Sequence, residues 1–289
     1  MKKSLHFLIV DGYPKKSRNE FKKAGMKFAG ILYAEMLNKY LPDATYDLIY
    51  SSDPGTVLPD KKGLKKYSGL LWPGCNLTIY NTKDDRVKRM IDLCRNAYTV
   101  GLPQFGSCWG IQLAAYIPGG EVKANPLGRE MGIGRKIRLT RKGTKHPMMK
   151  GKPEVYSHFL SHDDEVTSLP RGAVLLGGND YSDVQAIAVK YKRGTFWATQ
   201  YHPEYDLHEM AKLIVAREKK LIELGFFKNN SEMKRYVKQL ELLYKEPHRK
   251  YLRWKLGIDD DVLSDSVRQC EFINWIDTII LKKNKRLFK

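Results

Sequence analysis

Short apolar runs alternate with amphipathic stretches through the first half of the chain. Residues 6–10 (His-Phe-Leu-Ile-Val) form a run of the kind buried on both faces of a sheet, closed by Asp11 and Gly12. A basic loop follows. Residues 26–40 then carry apolar side chains at helical spacing until Leu41 and Pro42 stop the pattern. Residues 46–50 and 69–72 read as a second and a third strand. Asp84 and Asp85 open a helix to about Tyr98, with acids where the positive end of the helix dipole favours them. Residues 100–105 read as a short buried strand, and residues 110–115 as the start of another helix. Strand and helix alternating in this way specify an α/β fold, a mostly parallel sheet with helices on both faces.

After Pro118-Gly119-Gly120 the pattern shortens, with strands expected at 135–140, 154–156, 173–176, 185–189 and 195–199. From Leu207 onward the chain reads as helical. Residues 207–224 close the core, Ser231 caps a helix through Tyr244, and amphipathic segments follow near 251–256 and 264–281. The end is basic, Lys282-Lys283-Asn284-Lys285-Arg286. Two units are expected: residues 1–225 as the α/β domain and residues 226–289 as a basic helical C-terminal extension. Met233, Val237, Leu240, Leu243, Trp254, Ile273, Trp275 and Ile279 are too many apolar positions for a solvated tail. The extension is therefore expected to pack on the core or to form a subunit interface in a homo-oligomer, and to supply no catalytic group.

Composition narrows the setting. No apolar run approaches the roughly 18 residues of a membrane span, and the apolar N-terminal stretch ends at Asp11, reading as a strand and not a signal peptide. Cys75, Cys94, Cys108 and Cys270 show neither metal nor disulfide spacing, which points to a reducing cytoplasm. The net charge of +19, from 51 Lys+Arg against 32 Asp+Glu, favours anionic partners in principle. The lysines are spread in pairs such as Lys15-Lys16 and Lys65-Lys66, and no nucleic-acid-binding motif accompanies them, so nucleic acid is not an expected partner.

Cys108 lies in Phe-Gly-Ser-Cys-Trp-Gly-Ile-Gln, between an expected strand and an expected helix, with Gly106 and Gly110 on either side. Small neighbours permit the sharp turn of a nucleophile elbow, and the N–H of Trp109 is then placed to hold an oxyanion. Further on, Gln-Tyr-His-Pro-Glu supplies His202 as a base. Glu204, two residues later on extended backbone, projects to the same side to fix the imidazole tautomer. Gln112 follows Cys108 by one helical turn and shares its face. His158 and His162 form His-x-x-x-His, but no third ligand is evident, so no metal is expected.

The segments around Cys108 and His202 resemble the two signatures of class I, triad-type glutamine amidotransferases, in their free-standing branch. The stretch 67–74 resembles the family's strand ending in an oxyanion-hole glycine, here Gly74. Residues 119–132 resemble one branch of free-standing members, and 161–166 the Ser-His-Gly-Asp segment that helps bind glutamine. The resemblance covers about residues 5–225. It implies a flavodoxin-like sheet, Cys108, His202 and Glu204 as a triad, Gly74 and Trp109 as oxyanion donors, and Gln112, Ser161 and His162 as substrate contacts, with no cofactor. The chain departs from the family at Pro73-Gly74-Cys75, where Thr-Gly-Ser or Gly-Gly-Pro is usual, and at Asp163, where glycine is usual.

The activity implied is hydrolysis of glutamine through a γ-glutamyl thioester, releasing ammonia. No Gly-x-x-x-x-Gly-Lys-Ser/Thr motif accompanies it, so ammonia would pass to a separate synthetase or acceptor subunit or be lost. The first alternative keeps the chemistry and makes the enzyme a γ-glutamyl hydrolase or peptidase acting on γ-glutamyl amides or conjugates. The second is a non-catalytic binding protein on the same scaffold, against which the complete triad weighs.

Overall fold

The computed structural model describes residues 4–281. The first half runs β1 (His6–Asp11), α1 (Lys15–Ala24), α2 (Ala29–Tyr40), β2 (Thr45–Tyr50), β3 (Gly69–Trp72), α3 (Asp85–Val100), β4 (Gln104–Ser107) and α4 (Trp109–Tyr116). Strands then dominate: β5 (Glu121–Ala124), β6 (Glu130–Leu139), β7 (Val155–His162), β8 (Asp164–Ser168), β9 (Ala173–Gly178), β10 (Ala186–Tyr191) and β11 (Gly194–Thr199). Helices α5 (Leu207–Ala216), α6 (Glu218–Glu223), α7 (Asn230–Lys245), α8 (Lys250–Leu256), α9 (Asp260–Leu263), α10 (Asp265–Arg268) and α11 (Cys270–Trp275) follow, and the described residues end in a wide turn at Ile276–Leu281. No described helix is long and apolar enough to cross a membrane.

Nine strands form one sheet in the order β2-β1-β3-β4-β11-β10-β9-β6-β7. The first five are mutually parallel. The remainder pair antiparallel, and β5 and β8 make a separate ribbon. The fold is the mostly parallel α/β sheet read from the alternation, with the continuous apolar runs of β1 and β3 inside its parallel half. Leu8, Leu70 and Trp72 face a cluster on α3 and α4, while Phe7, Ile9, Leu71 and Phe105 face α2 and the C-terminal helices.

The C-terminal residues enter that second layer. Trp275 is fully buried and meets Phe105 and Phe7 at ring-centroid distances of 5.8 and 6.2 Å. A methyl on Gly69 would lie 2.7 Å from the Trp275 ring, so the strand backbone and the indole are in direct contact. Asp261 accepts a hydrogen bond from the Ser157 amide at 2.5 Å. This covers part of the β7 edge, a place where unpaired backbone groups otherwise invite association. The basic run 282–286 lies outside the described residues.

Several local expectations are corrected. The basic loop after β1 is mainly the helix α1, whose buried face is Ser17, Arg18 and Phe21 and whose end is Gly25 at φ 74°. With so few apolar residues its period was not visible. The strand before Cys108 begins only at Gln104, because residues 100–101 end α3 with Gly101 in the left-handed conformation. The helix expected over 207–224 breaks at Arg217 (φ −111°, ψ 14°). Asn229, not Ser231, caps α7 by accepting from the Glu232 amide at 3.0 Å. Strands β5 and β8 were not anticipated.

Candidate active site

Because β3, β4 and β11 are parallel neighbours, their carboxyl ends leave the sheet side by side. Trp72 pairs with Gly106, and Ser107 with Thr199. The segments that follow hold Gly74, Cys108 and His202.

Cys108 joins β4 to α4 at φ 52° and ψ −95°, a conformation that costs a non-glycine residue about 1–3 kcal/mol. The surroundings hold it there. Its amide donates to Thr199 O at 2.8 Å, and its carbonyl accepts from Ile111 N at 3.2 Å. A methyl on Gly106 would lie 2.8 Å from Trp72 O and 2.9 Å from Gly110 Cα, so the turn closes this tightly only on glycine. The thiol is 3.8 Å from Ser161 O. The Trp109 amide heads α4, where the first N–H groups have no intrahelical acceptor.

His202 and Glu204 are both buried. Nδ1 of His202 is 2.7 Å from Glu204 Oε1, and its ring lies parallel to Tyr205 with centroids 4.2 Å apart. Its amide donates to Phe159 O at 2.9 Å. Burial alone lowers the imidazole pKa. The Glu204 carboxylate and the Cys108 side chain outweigh it and raise the value to about 10. Nε2 is buried without a formed hydrogen bond. Gly74 lies against this pair: a methyl on it would be 2.8 Å from His202 Cε1 and 3.6 Å from Cys108 Cβ.

Two further residues complete the network. Ser107 donates to Glu204 Oε1 at 3.0 Å, and Tyr33 donates to Ser107 Oγ at 2.8 Å. Sequence reading missed both. The adjacency of Ser107 to the cysteine was visible, but its side-chain direction depends on the register of β4 against β11.

A cavity of about 330 Å³ opens on Cys108 and is walled by Gln112, Ser161 and His162, the substrate contacts expected from the resemblance. Gln112 is buried with Oε1 unpartnered. Ser161 Oγ accepts from Arg129 at 2.7 Å, and Arg129 pairs with Asp163 at 2.5 Å. His162 is committed elsewhere: Nδ1 meets Asp164 O and Nε2 meets Glu130 Oε2, each at 3.0 Å. Both ring nitrogens are therefore engaged within the wall. Tyr13, Arg217 and Lys220 also line the space and were not singled out from the sequence. Burial pushes the Tyr13 hydroxyl pKa up, which keeps it a hydrogen-bond donor. His158 is separate from His162 in role. Its Nε2 meets Arg268 O at 2.9 Å, and burial keeps the ring neutral. Among the described residues no group of three or more His, Cys, Asp or Glu is poised to hold a metal.

Against known families, residues 51–221 match the model of glutamine amidotransferase class-I. A γ-glutamyl-L-1-hydroxyisopropylamide hydrolase of a Pseudomonas species is 30% identical over 98% of this chain and 96% of its own length. A glutamine-hydrolysing GMP synthase of Nitratiruptor is 31% identical over 48% of this chain, but the match spans only 25% of that longer protein. Among solved structures, a glutamine amidotransferase from Thermotoga maritima superposes with a TM-score of 0.65 at 17% identity, covering 91% of this chain and 99% of that one.

Proposed function

The chain belongs to the class-I glutamine amidotransferase family of hydrolytic, amidotransferase-type enzymes, and we propose that it hydrolyses the γ-amide bond of a γ-glutamyl substrate through a thioester on Cys108. The observation that carries this reading is the convergence of Cys108 and the buried His202–Glu204 pair on Gly74, where an added methyl would meet both Cys108 and the His202 ring within 4 Å. The cysteine sulfur, its proton held by His202, attacks the γ-carbonyl carbon. The oxyanion forms beside the amides of Gly74 and Trp109. Collapse breaks the C–N bond, and the imidazolium gives its proton to the departing nitrogen. Water then attacks the thioester with His202 as base, releasing glutamate and the thiol. Glu204 keeps the Nδ1 proton in place throughout.

A γ-glutamyl group carries an ammonium and a carboxylate. The cavity wall offers both signs of charge, Arg129 and Lys220 beside Asp163 and Asp164. The chemistry accepts glutamine or a γ-glutamyl amide alike, since each presents a γ-carbonyl with a nitrogen leaving group. The sequence alone ranks glutamine first. The full-length relative, whose match includes the C-terminal helices, supports an amide of a small amine in its place. Under this second reading no synthetase partner is required. Residues 1–225 would form the catalytic unit and the following helices a buttress to it.

The test compares kcat/KM for glutamine with that for a γ-glutamyl alkylamide and a γ-glutamyl dipeptide. A preference of tenfold or more for an amide over glutamine, about 1.4 kcal/mol in the transition state, assigns the hydrolase. A preference for glutamine assigns the glutaminase. No turnover of any of the three, together with no acyl-enzyme at Cys108, would overturn the reading.

A further inference from the structure

The segment between Tyr201 and Glu204 is gripped from the C-terminal extension. Gln269 Nε2 donates to the carbonyl of Pro203 at 3.2 Å, and Gln269 Oε1 accepts from Tyr40 at 2.7 Å. The two bonds fix the orientation of the amide, because a carbonyl only accepts. Tyr40 remains a donor, its pKa pushed up to about 12 by burial. Two residues on, Glu271 accepts a short hydrogen bond from Tyr201. The Glu271 charge is balanced by Lys152 at 3.0 Å, with both side chains fully buried. Lys152 in turn donates to Val267 O at 2.7 Å. This buried ion pair ties the backbone before Gln269 to the turn before β7 and leaves the amide little freedom.

We propose that Gln269 is a positioning residue: by holding the Pro203 carbonyl it sets the relative orientation of His202 and Glu204, so the extension takes part in catalysis without touching substrate. The inference rests on the reading of His202 and Glu204 as catalytic. Pro203 has no N–H and a restricted φ, so its carbonyl is the only backbone polar group that Pro203 itself offers between the two side chains. Releasing it lets the peptide planes on either side rotate, and the 2.7 Å contact between His202 and Glu204 is what changes.

The test uses the full-length enzyme with Gln269→Glu and Gln269→Met. The first keeps the shape and the acceptor for Tyr40 but turns a carboxylate on the Pro203 carbonyl. The second keeps the volume without a donor. The expected result is a roughly tenfold or greater fall in kcat with KM unchanged, and an alkaline limb of kcat/KM displaced to lower pH, in protein whose unfolding midpoint is within a few degrees of the parent. Wild-type kcat and an unmoved limb in both folded variants would overturn the proposal. So would activity lost only in proportion to the folded fraction. His202→Ala in parallel separates the two questions: if that variant retains activity, the catalytic reading itself has failed, whatever Gln269 does.

Discussion

A methyl group on Gly74 would sit 2.8 Å from Cε1 of the His202 ring, closer than side-chain carbons approach one another. The residue after Pro73 is therefore glycine for steric reasons as well as for any oxyanion contact. The departure from the usual family triplet at Pro73-Gly74-Cys75 keeps the one position that the ring cannot share.

Gly74→Ala is accordingly expected to fold and to fail. His202 must move by several tenths of an ångström, and misplacement of a catalytic group on the 1 Å scale costs about a hundredfold. Steady-state kinetics on protein with parental circular dichroism checks this. Activity within about threefold of the parent would show that the ring has room the geometry denies it.

The carboxylate of Glu204 is shared between His202 and Ser107, with Tyr33 behind Ser107. Ser107→Ala removes one donor to a buried anion, an interaction worth about 1.5–3 kcal/mol. The expected outcome is a fall in kcat of about tenfold with little change in KM, because the serine does not line the cavity. A rise in KM at constant kcat would assign it to substrate binding and contradict the network.

Titration of His202 gives a prediction with a definite sign. Its folded pKa is raised from 6.5 to about 10. The stabilising contribution of the charged ring is then complete below about pH 6.5 and is lost as the pH rises through about 10. In the proposed mechanism the imidazolium is also the proton donor to the leaving nitrogen, so kcat/KM should fall on the alkaline side near the same pH. Glu204→Gln removes the charge that opposes the burial penalty and should bring the limb down by at least about one unit. Rate profiles from pH 6 to 11 measure both. A limb that does not respond to Glu204→Gln would mean that another group governs it.

Labelling should single out Cys108. Burial pushes the thiols of Cys75, Cys94 and Cys270 up, which suppresses their reactive thiolate forms. A γ-glutamyl-directed electrophile should place one adduct on the peptide containing Cys108, and Cys108→Ser should lose nearly all turnover. An adduct on Cys75, which lines the same cavity, would move the nucleophile to that residue.

Much of the parallel half of the fold was legible because its inner strands β1 and β3 are continuous apolar runs buried on both faces. The identity of Cys108, His202 and Glu204 as neighbours followed from local motifs. What stayed hidden depended on register or on sparse patterns. Helix α1 has a single large apolar residue, Phe21, and so no visible period. Ser107 and Tyr33 gain meaning only once β4 is aligned with β11 and α2 is laid across it. His162 matched a substrate-binding segment by position, yet its ring is engaged by Glu130, a partner 32 residues away in the chain. No local spacing reports such a contact.

The C-terminal helices offer the last expectation. Trp275 has no exposed surface, and its ring packs on Phe105 in β4, the strand that delivers Cys108. Its Nε1 is buried without a partner. Trp275→Ala should therefore cost about 3–5 kcal/mol, the range for emptying a large aromatic site. Trp275→Phe should cost much less, since it keeps most of the ring contact and removes an unsatisfied N–H. Truncation after residue 225 removes this ring together with Phe272 and uncovers the sheet face they occupy, so the shortened protein should aggregate. Denaturant unfolding of the two point variants and light scattering of the truncated chain make the comparison. A truncated protein that stays monodisperse with the parental midpoint would show that the sheet does not need this cover, and Trp275→Ala would then have to be nearly neutral as well.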